Sequence, residues 1–392
     1  MENDPVLQWV EDGQPRAARW RSERGAPPPG RVTVVDDTVT ADEAYGLACQ
    51  GTGLLWRGDF PNARQMLIAL ASRADRPTRK PKRGVPAPAI DVPRGTPAMA
   101  AAFHRHRQGR SQRARTLGML LIELAPDYGI DLRRAPDLRQ ACREAYGPAE
   151  ETASVVSLRE LLGLVGAHEW RVKGIDVPAA GGRIHPHYGV FAPVRREYVD
   201  LVAAAPLPAA AATTSVAFDV GTGTGVLAAV LARRGLARVI ATDRDPRALA
   251  CARENIAQLG LHDRVEVVAA DLFPEGRAAL VLCNPPWLPA RPSAPLEHAI
   301  FDPDSRMLRG FLAGLPSHLV PAGEGWLVLS DLAEHLGLRT RAELMEAFDG
   351  AGLRVVDRID VRPVHPKASD ASDPLHAARA AEVTSLWRLA VR

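Results

Sequence analysis

Cysteine is scarce in this 392-residue sequence, and the few cysteines are far apart. They are Cys49, Cys142, Cys251 and Cys283, and no two of them form a C-x-x-C pair. This spacing argues against a disulfide framework and against a cysteine zinc site. Because unpaired cysteines are usual in reducing compartments, we expect a cytoplasmic protein.

Long apolar runs are also missing. The Ala-rich stretch 203–220 is interrupted by Pro206 and Pro208, and no run of about 18 apolar residues occurs elsewhere. Residues 1–20 are polar and contain no apolar segment typical of a signal peptide. We therefore expect neither a secretion signal nor a membrane partner.

A strong net charge is absent too, since the formal value is only +3. The positive charge is mostly arginine, and it concentrates in residues 73–115, where only Asp75 and Asp91 oppose it. Such a segment could contact the phosphates of RNA, approach a ribosome-associated protein, or form a solvated face. The charge pattern does not separate these three interpretations.

Two H-x-H pairs, His104 with His106 and His185 with His187, could suggest a metal site. Neither pair has a carboxylate or cysteine close by in the sequence, which a metal site would need. We therefore predict no metal.

The chain divides into four predicted regions. Residues 1–36 are poorly defined, and 37–180 form a mostly helical domain with a basic, Pro-rich loop over 75–98. Thr40 and Glu43 form a capping box that predicts a helix from Ala41. The stretch 51–60 is predicted as a loop, and 117–124 carries apolar residues at helical spacing. A hairpin and connecting helix are predicted over 181–205, ahead of a domain over 206–392.

The pattern changes at Val216. Short apolar strands (VAFDV, RVIATD, RVEVVAAD and AALVLCN) alternate with helical segments, and later strands are predicted over 325–330, 354–357 and 385–390. This alternation predicts an α/β domain with a parallel sheet and helices on both faces.

A glycine-rich turn stands where the first of these strands becomes a helix, and it carries Asp219, Gly221, Gly223 and Gly225. Glycines allow the backbone to turn sharply and to approach a ligand closely. Such a turn could bind the pyrophosphate of a dinucleotide, or it could be purely structural.

Acidic residues at three successive strand ends discriminate between these ligands. Asp219 beside the glycines would repel a pyrophosphate but suits the ammonium group of a methionine moiety. Asp243 can accept both hydroxyls of a ribose, and Asp271 is placed for an adenine edge. Either of the last two could instead cap a helix. Three acids in this order favour S-adenosyl-L-methionine.

The sequence NPPW follows the fourth strand and includes Asn284, Pro285 and Trp287. The Asn284 side-chain oxygen and the Pro285 carbonyl can accept the N–H bonds of an amide or amino group. These two hydrogen bonds would direct the lone pair of the nitrogen at the methyl group, and methyl transfer from a sulfonium requires this alignment. Trp287 can stack on a planar acceptor. The alternative is a plain turn followed by a core aromatic.

Together, FDVGTGTG, ATDRDPRALACARENI, RVEVVAADLF and VLCNPPW resemble the motifs of class I methyltransferases of the N-P-P-[YFW] type. The chain is most similar to the protein-(glutamine-N5) methyltransferases that act on release factors and a ribosomal protein. DLF and the later stretch AIFDPDSRMLRGF support that branch. The resemblance covers 185–335. The family usually has Tyr at the position of Trp287, and its N-terminal region is shorter.

The resemblance implies an α/β fold with a Rossmann-like, seven-stranded sheet preceded by a mostly helical N-terminal domain. It places the cofactor in a site formed by ten residues and the acceptor beside three. The cofactor residues are Asp219, Gly221, Thr222, Gly223, Gly225, Asp243, Arg244, Asp271, Leu272 and Asn284. The acceptor residues are Asn284, Pro285 and Trp287. His185, His187 and Tyr188 would line the acceptor entrance.

Three functions follow as hypotheses. The first is methylation of a protein glutamine, the second of an RNA base (rRNA or tRNA), and the third of a small molecule. The acceptor would be a protein or RNA associated with the ribosome in the first two cases. The sequence leaves the oligomeric state open.

Overall fold

The structure is a computed structural model that describes residues 5–76, 93–292, 295–363 and 373–392. Most of the basic, Pro-rich loop predicted over 75–98 lies outside the described residues. The chain forms two compact units. The first comprises Met1–Pro88 and Arg105–Glu169, and the second comprises Ala89–His104 and Trp170–Arg392.

The first unit is built on a six-stranded sheet of order β1-β2-β6-β5-β4-β3. The elements of this part of the chain are β1 (Val6–Glu11), β2 (Gln14–Arg21), β3 (Arg31–Val35), α1 (Ala41–Cys49), β4 (Thr52–Trp56), α2 (Phe60–Ala74), α3 (Pro97–Leu117), β5 (Leu120–Leu124), α4 (Arg139–Tyr146), β6 (Ser154–Ser157) and α5 (Leu158–Lys173). Thr40 caps α1 as predicted, since its hydroxyl accepts a hydrogen bond from Glu43 N at 3.3 Å.

The structure differs from the predictions at several places in this part of the chain. Residues 5–36, the described part of the segment predicted to be poorly defined, supply three strands, and in β1 buried and exposed positions alternate, with Leu7 and Trp9 in the core. The region 37–180 contains the helices α1 to α5, but three strands of the sheet lie among them. The predicted loop 51–60 contains β4, whose five residues are all buried, and the apolar residues of 120–124 form β5. Short apolar runs fit a buried strand as well as a helix.

The second unit contains the seven-stranded sheet predicted from the sequence. Its elements are β7 (Ile175–Val177), β8 (Gly182–Ile184), α6 (Glu197–Ala204), β9 (Val216–Val220), α7 (Val226–Arg233), β10 (Arg238–Asp243), α8 (Pro246–Gln258), β11 (Val265–Ala269), β12 (Ala278–Cys283), α9 (Arg306–His318), β13 (Leu319–Ser330), α10 (Leu332–His335), α11 (Arg341–Gly350), β14 (Leu353–Val361), α12 (His376–Ala381) and β15 (Thr384–Val391). The hairpin β7–β8 begins before the predicted boundary at 181.

The large sheet has the order β11-β10-β9-β12-β13-β15-β14. All of its pairings are parallel except those of β15, which runs antiparallel to β13 and β14. The strand order reverses at β9, whose neighbours β10 and β12 lie on opposite sides. In open α/β sheets, ligands bind outside the carboxyl ends of the strands at such a point.

The burial of their side chains agrees with the central positions of β9 and β12 in the large sheet. All six residues of β12 are buried, as is the α7 segment from Val226 to Ala232. Continuous apolar runs of this kind are expected for strands covered on both faces. Within the described ranges, no helix combines the length and apolar character needed to cross a membrane.

Candidate cofactor and acceptor site

A tight glycine loop joins β9 to α7. Gly221, Gly223 and Gly225 have φ angles of 74°, 55° and 81°, a region that side chains with a Cβ rarely adopt. At Gly221 space is limiting as well, because a Cβ there would collide with the Met307 methyl group. At Gly223 no heavy atom lies within 4 Å of the position of a Cβ. The loop therefore exposes its backbone to open space at Gly223.

The loop is fastened to the end of β10. The backbone nitrogens of Gly221 and Thr222 both donate to the Thr242 carbonyl, at 2.9 and 2.8 Å. The next nitrogen, Gly223 N, donates to Asp243 Oδ2 at 3.1 Å. Two predicted site residues, Gly223 and Asp243, are thus in direct contact.

Asp219 lies beneath the loop and is 1% exposed. Its Oδ2 accepts hydrogen bonds from Thr222 Oγ1 at 2.6 Å and from Ala228 N at 3.0 Å. Burial raises the pKa of Asp219 to about 6, a rise that the two hydrogen bonds oppose and the Asp243 carboxylate reinforces. A cation near this carboxylate would stabilise its ionised form.

Asp243 is not a helix cap. The N-cap of α8 is Asp245, whose carboxylate accepts from Arg247 N at 2.9 Å. Asp243 instead uses Oδ1 to accept from Asp245 N at 3.0 Å, while Oδ2 holds Gly223. Its neighbour Arg244 is exposed. A partly buried carboxylate at a strand end, fixed on both sides, suits a ligand hydroxyl.

Asp271 follows β11 and is exposed, and no helix separates β11 from β12 in this described part of the chain. The cap alternative therefore fails here as well. Asp271 Oδ2 pairs with Arg306 Nη2 at 2.9 Å, a partner that the sequence did not predict. Leu272 has a φ of 82°, unusual for a residue with a Cβ, and its carbonyl accepts from Thr242 Oγ1. Backbone strain of this kind is often found at ligand sites.

The NPPW loop begins beside the glycine loop. In the parallel pairing of β12 with β9, Cys283 is opposite Val220. Asn284 and Gly221 are the next residues on these two strands, so the predicted acceptor and cofactor residues emerge at the same edge of the sheet. Asn284 is partly buried, and Pro285 is buried.

Trp287 contacts Asn284 through a hydrogen bond. Its Nε1 donates to Asn284 Oδ1 at 2.9 Å. An indole N–H can only donate, so this bond fixes which way the Asn284 amide faces. A carbonyl-type oxygen has two lone pairs, and therefore Oδ1 keeps one for an acceptor N–H.

Two further residues at this site were missed by the sequence reasoning. The Arg195 guanidinium carbon lies 5.5 Å from the Trp287 ring centroid. Arg195 Nη1 in turn donates to Glu382 Oε1 at 2.9 Å. Glu382 precedes the last strand, and no motif or spacing links it to residues so far away in the sequence.

The acid–proline stretch after the NPPW loop has a structural role. Asp302 is buried, and its carboxylate accepts from the backbone nitrogens of Met307 and Leu308 at 2.9 and 3.2 Å. These bonds satisfy donors at the start of α9. They hold Met307, which approaches Gly221, and Arg306, which pairs with Asp271.

The two histidines of the second H-x-H pair, His185 and His187, contact neighbouring helices. His185 Nδ1 lies 2.6 Å from the Arg171 carbonyl, and His187 Nε2 lies 2.6 Å from Glu254 Oε2. The fold thus brings a carboxylate to His187 that the sequence spacing did not reveal. Arg247 packs over the Tyr188 ring at 5.6 Å. In the described ranges no group of three or more His, Cys, Asp or Glu side chains could hold a metal ion.

Comparison with known proteins finds a family match within the second unit and several relatives of the chain. Residues 181–351 match the family described as Methyltransferase small domain. A release factor glutamine methyltransferase from Cereibacter sphaeroides is 38% identical over 159 residues, which are 37% of this chain and 55% of that protein. A ribosomal protein L11 methyltransferase from Pelotomaculum thermopropionicum is 48% identical over 69 residues, 17% of this chain and 22% of that protein.

Among solved structures, the ribosomal protein L11 methylase from Lactobacillus delbrueckii subsp. bulgaricus aligns with a TM-score of 0.35 and 18% identity. That alignment covers 53% of this chain and 85% of that chain. The chain spans about half the length of the first relative and 22% of the second. The family match within the second unit and the similarity to release factor glutamine methyltransferases confirm the resemblance that the motifs predicted.

Proposed function

We propose that this chain, whose second unit is a class I S-adenosylmethionine-dependent methyltransferase domain, methylates a planar amide or amino nitrogen. The observation that carries the proposal is the position of Asn284 and Pro285 directly after β12, next in register to the glycine loop after β9. A methyl donor held by one loop would face an acceptor held by the other.

The cofactor would supply an activated methyl group on a sulfonium, and the residues present suit such a ligand. Gly223 borders open space, where a ligand can approach the backbone. Buried Asp219 would favour an ammonium group, and Asp243 would accept ribose hydroxyls. Thr222 orients Asp219 through its hydroxyl. Asp271, Leu272 and Arg244 would border the nucleoside end.

The acceptor nitrogen would be held by two oxygens. Asn284 Oδ1 has one lone pair engaged by Trp287, which leaves one for the acceptor. The Pro285 carbonyl would accept the second N–H. Two accepted N–H bonds reduce delocalisation of the nitrogen lone pair and direct it at the methyl carbon. Positioning is the main contribution that transfer from a sulfonium needs.

A glutamine side chain of a protein is the acceptor that we favour. Its primary amide offers two N–H bonds on a planar nitrogen, which matches two oxygens at Asn284 and Pro285. The similarity to a release factor glutamine methyltransferase over 159 residues supports this choice. An amide nitrogen is a weak nucleophile, so its methylation would benefit from two rigidly placed oxygens that accept its N–H bonds.

An RNA base is the second candidate. The part of α3 in the first unit carries arginines whose charge is only partly neutralised, since Arg105, Arg110 and Arg115 are exposed while Arg113 pairs with Asp75 at 2.6 Å. Exposed arginines on one helix can contact phosphates without reading sequence. An exocyclic amino group also presents two N–H bonds to the same oxygens.

Labelling distinguishes the two acceptors. Purified protein and S-adenosyl-[methyl-³H]methionine are added to methyl-poor lysate, and the products are divided between protease and ribonuclease digestion. Label lost only to protease, with methylglutamine found by mass spectrometry, is the expected result. Label lost only to ribonuclease would replace glutamine by an RNA base. Label resistant to both would indicate a small acceptor.

A further inference from the structure

We propose that Arg195 and Glu382 are positioning residues for the acceptor loop, acting on Asn284 through Trp287. This inference rests on the proposed function, because it assigns Asn284 to the acceptor. The contacts run from a buried carboxylate to a guanidinium, from there to an indole ring, and from the indole N–H to the Asn284 oxygen.

The first contact anchors the guanidinium. Glu382 is 2% exposed, and its Oε1 accepts hydrogen bonds from Arg195 Nη1 at 2.9 Å and from Ser330 Oγ at 2.8 Å. A buried carboxylate requires a charged partner, and removing that partner is expensive. Arg195 is therefore fixed by a residue that the protein cannot easily rearrange.

The surroundings of Glu382 are themselves rigid. Ser330, at the end of β13, uses its hydroxyl oxygen to accept from Leu332 N at 3.0 Å. The adjacent Asp331 accepts from Val383 N at 2.7 Å. These bonds hold the chain before β15 against the end of β13, so Glu382 has a defined position.

The second contact covers one face of Trp287. A guanidinium 5.5 Å from the ring centroid is within the range of a cation–π interaction, and arginine stacks well on indole. Trp287 also packs against the apolar cores on both sides of the large sheet. The ring is held between these cores and Arg195, so its rotation is restricted.

The third contact transmits this restriction. The Trp287 N–H is the donor to Asn284 Oδ1 at 2.9 Å, and rotation of the indole would break that bond. The Asn284 amide would then be able to turn and present its NH₂ group to an acceptor that also donates. A misplacement of this kind harms the transfer step more than it harms cofactor binding.

The neighbouring arginine provides a matched control. Arg196 is next in the chain and exposed, and its Nη2 donates to the Asp176 carbonyl at 2.8 Å. It carries the same charge on the same segment, but its contact is with the hairpin. Replacing Arg196 tests whether the loss of a positive charge from this segment reduces activity when the contact with Trp287 is kept.

The experiment compares Arg195→Met, Arg195→Lys, Glu382→Gln and Arg196→Met with the wild type. Label transfer from S-adenosyl-[methyl-³H]methionine is measured at increasing lysate concentration, and S-adenosylhomocysteine affinity by calorimetry. We expect Arg195→Met to reduce the maximal rate by about tenfold to a hundredfold. Its S-adenosylhomocysteine Kd should change less than about twofold, and Arg195→Lys should retain more activity than Arg195→Met because it keeps the cation. Glu382→Gln should fall between the Arg195 variants, and Arg196→Met should match the wild type.

A second readout does not need the acceptor. Subtracting the fluorescence spectrum of Trp287→Phe from that of the wild type isolates the emission of Trp287. The same subtraction is made between Arg195→Met and the double variant that carries Arg195→Met and Trp287→Phe. The isolated spectrum should shift if Arg195 covers the ring. An unchanged spectrum, or a maximal rate within twofold of wild type, would overturn the inference. So would parallel losses of rate and S-adenosylhomocysteine affinity. Absence of label with the wild type would instead count against the proposed function.

Discussion

The backbone nitrogen of Gly223 donates to Asp243 Oδ2 at 3.1 Å, so the acid that ends β10 holds the glycine loop after β9. This bond joins the two sequence motifs on which the cofactor assignment depends. It leaves Asp243 at the mouth of the open space beside Gly223. A ligand hydroxyl would meet a carboxylate that is already oriented.

Replacement of Asp243 by Ala should weaken S-adenosylhomocysteine binding. We expect its Kd to rise about tenfold to a hundredfold, since a hydrogen bond to a charged group contributes about 1.5–3 kcal/mol. Isothermal calorimetry measures this directly. The control is Asp245→Ala, which removes the cap of α8 and should lower stability by about 1 kcal/mol while leaving the Kd within twofold. Equal losses of affinity in both variants would contradict the assignment.

The two glycines of the loop should respond differently to alanine. Gly221→Ala meets an unfavourable φ and must also displace the Met307 methyl group, the end of a flexible side chain, so we expect a loss of about 1–3 kcal/mol in the free energy of unfolding. Gly223→Ala meets only the unfavourable φ and should lose about 1–2 kcal/mol. Its added methyl group enters the open space, so S-adenosylhomocysteine affinity should fall further than stability suggests.

Urea unfolding of the two variants beside the wild type checks this difference. A Gly223→Ala protein as unstable as Gly221→Ala would mean that the Met307 contact is not what limits the first position. Unchanged S-adenosylhomocysteine affinity in Gly223→Ala would show that the ligand does not approach there.

Asp219 should make stability depend on pH. Its folded pKa is raised from 3.8 to about 6 by burial, so the folded state holds the proton more tightly than the unfolded chain. The resulting stabilisation is complete below about pH 4 and is lost as pH rises through about 6. Asp219→Asn cannot titrate. We expect its stability relative to wild type to increase by about 1–2 kcal/mol between pH 4.5 and pH 7.5.

Urea unfolding at those two pH values, with wild type and Asp219→Asn, measures the change. A relative stability that stays constant, or moves in the opposite direction, would show that Asp219 is ionised in the folded protein throughout this range. The S-adenosylhomocysteine-bound protein should show a smaller pH effect, because an ammonium near Asp219 lowers its pKa again.

The sequence predicted the second unit well because its signals are local. The change to alternating strands and helices at Val216, the glycines after β9 and the acids at strand ends each lie within a few residues of what they determine. The Asn284 loop follows from the same pattern. The open question at Asp243, ligand contact or cap, needed the structure, which shows that Asp245 is the cap.

Other features depend on contacts between distant residues, and the sequence did not predict them. Arg195 and Glu382 meet only because β15 inserts beside β13. Arg306 reaches Asp271 because Asp302 orders the start of α9. In the first unit, the glycines around the short apolar run of β4 predict a loop, and only the neighbouring strands of the sheet decide that this run is a strand.

The most direct test of the account is methyl transfer by wild type and Asn284→Ala, measured with S-adenosyl-[methyl-³H]methionine and methyl-poor lysate. We expect Asn284→Ala to transfer label about a hundredfold to a thousandfold more slowly, as found when one positioned hydrogen-bonding group is removed from an active site. Its S-adenosylhomocysteine Kd should remain within a few-fold of wild type. Label of equal strength from both proteins would contradict the claim that Asn284 holds the acceptor nitrogen.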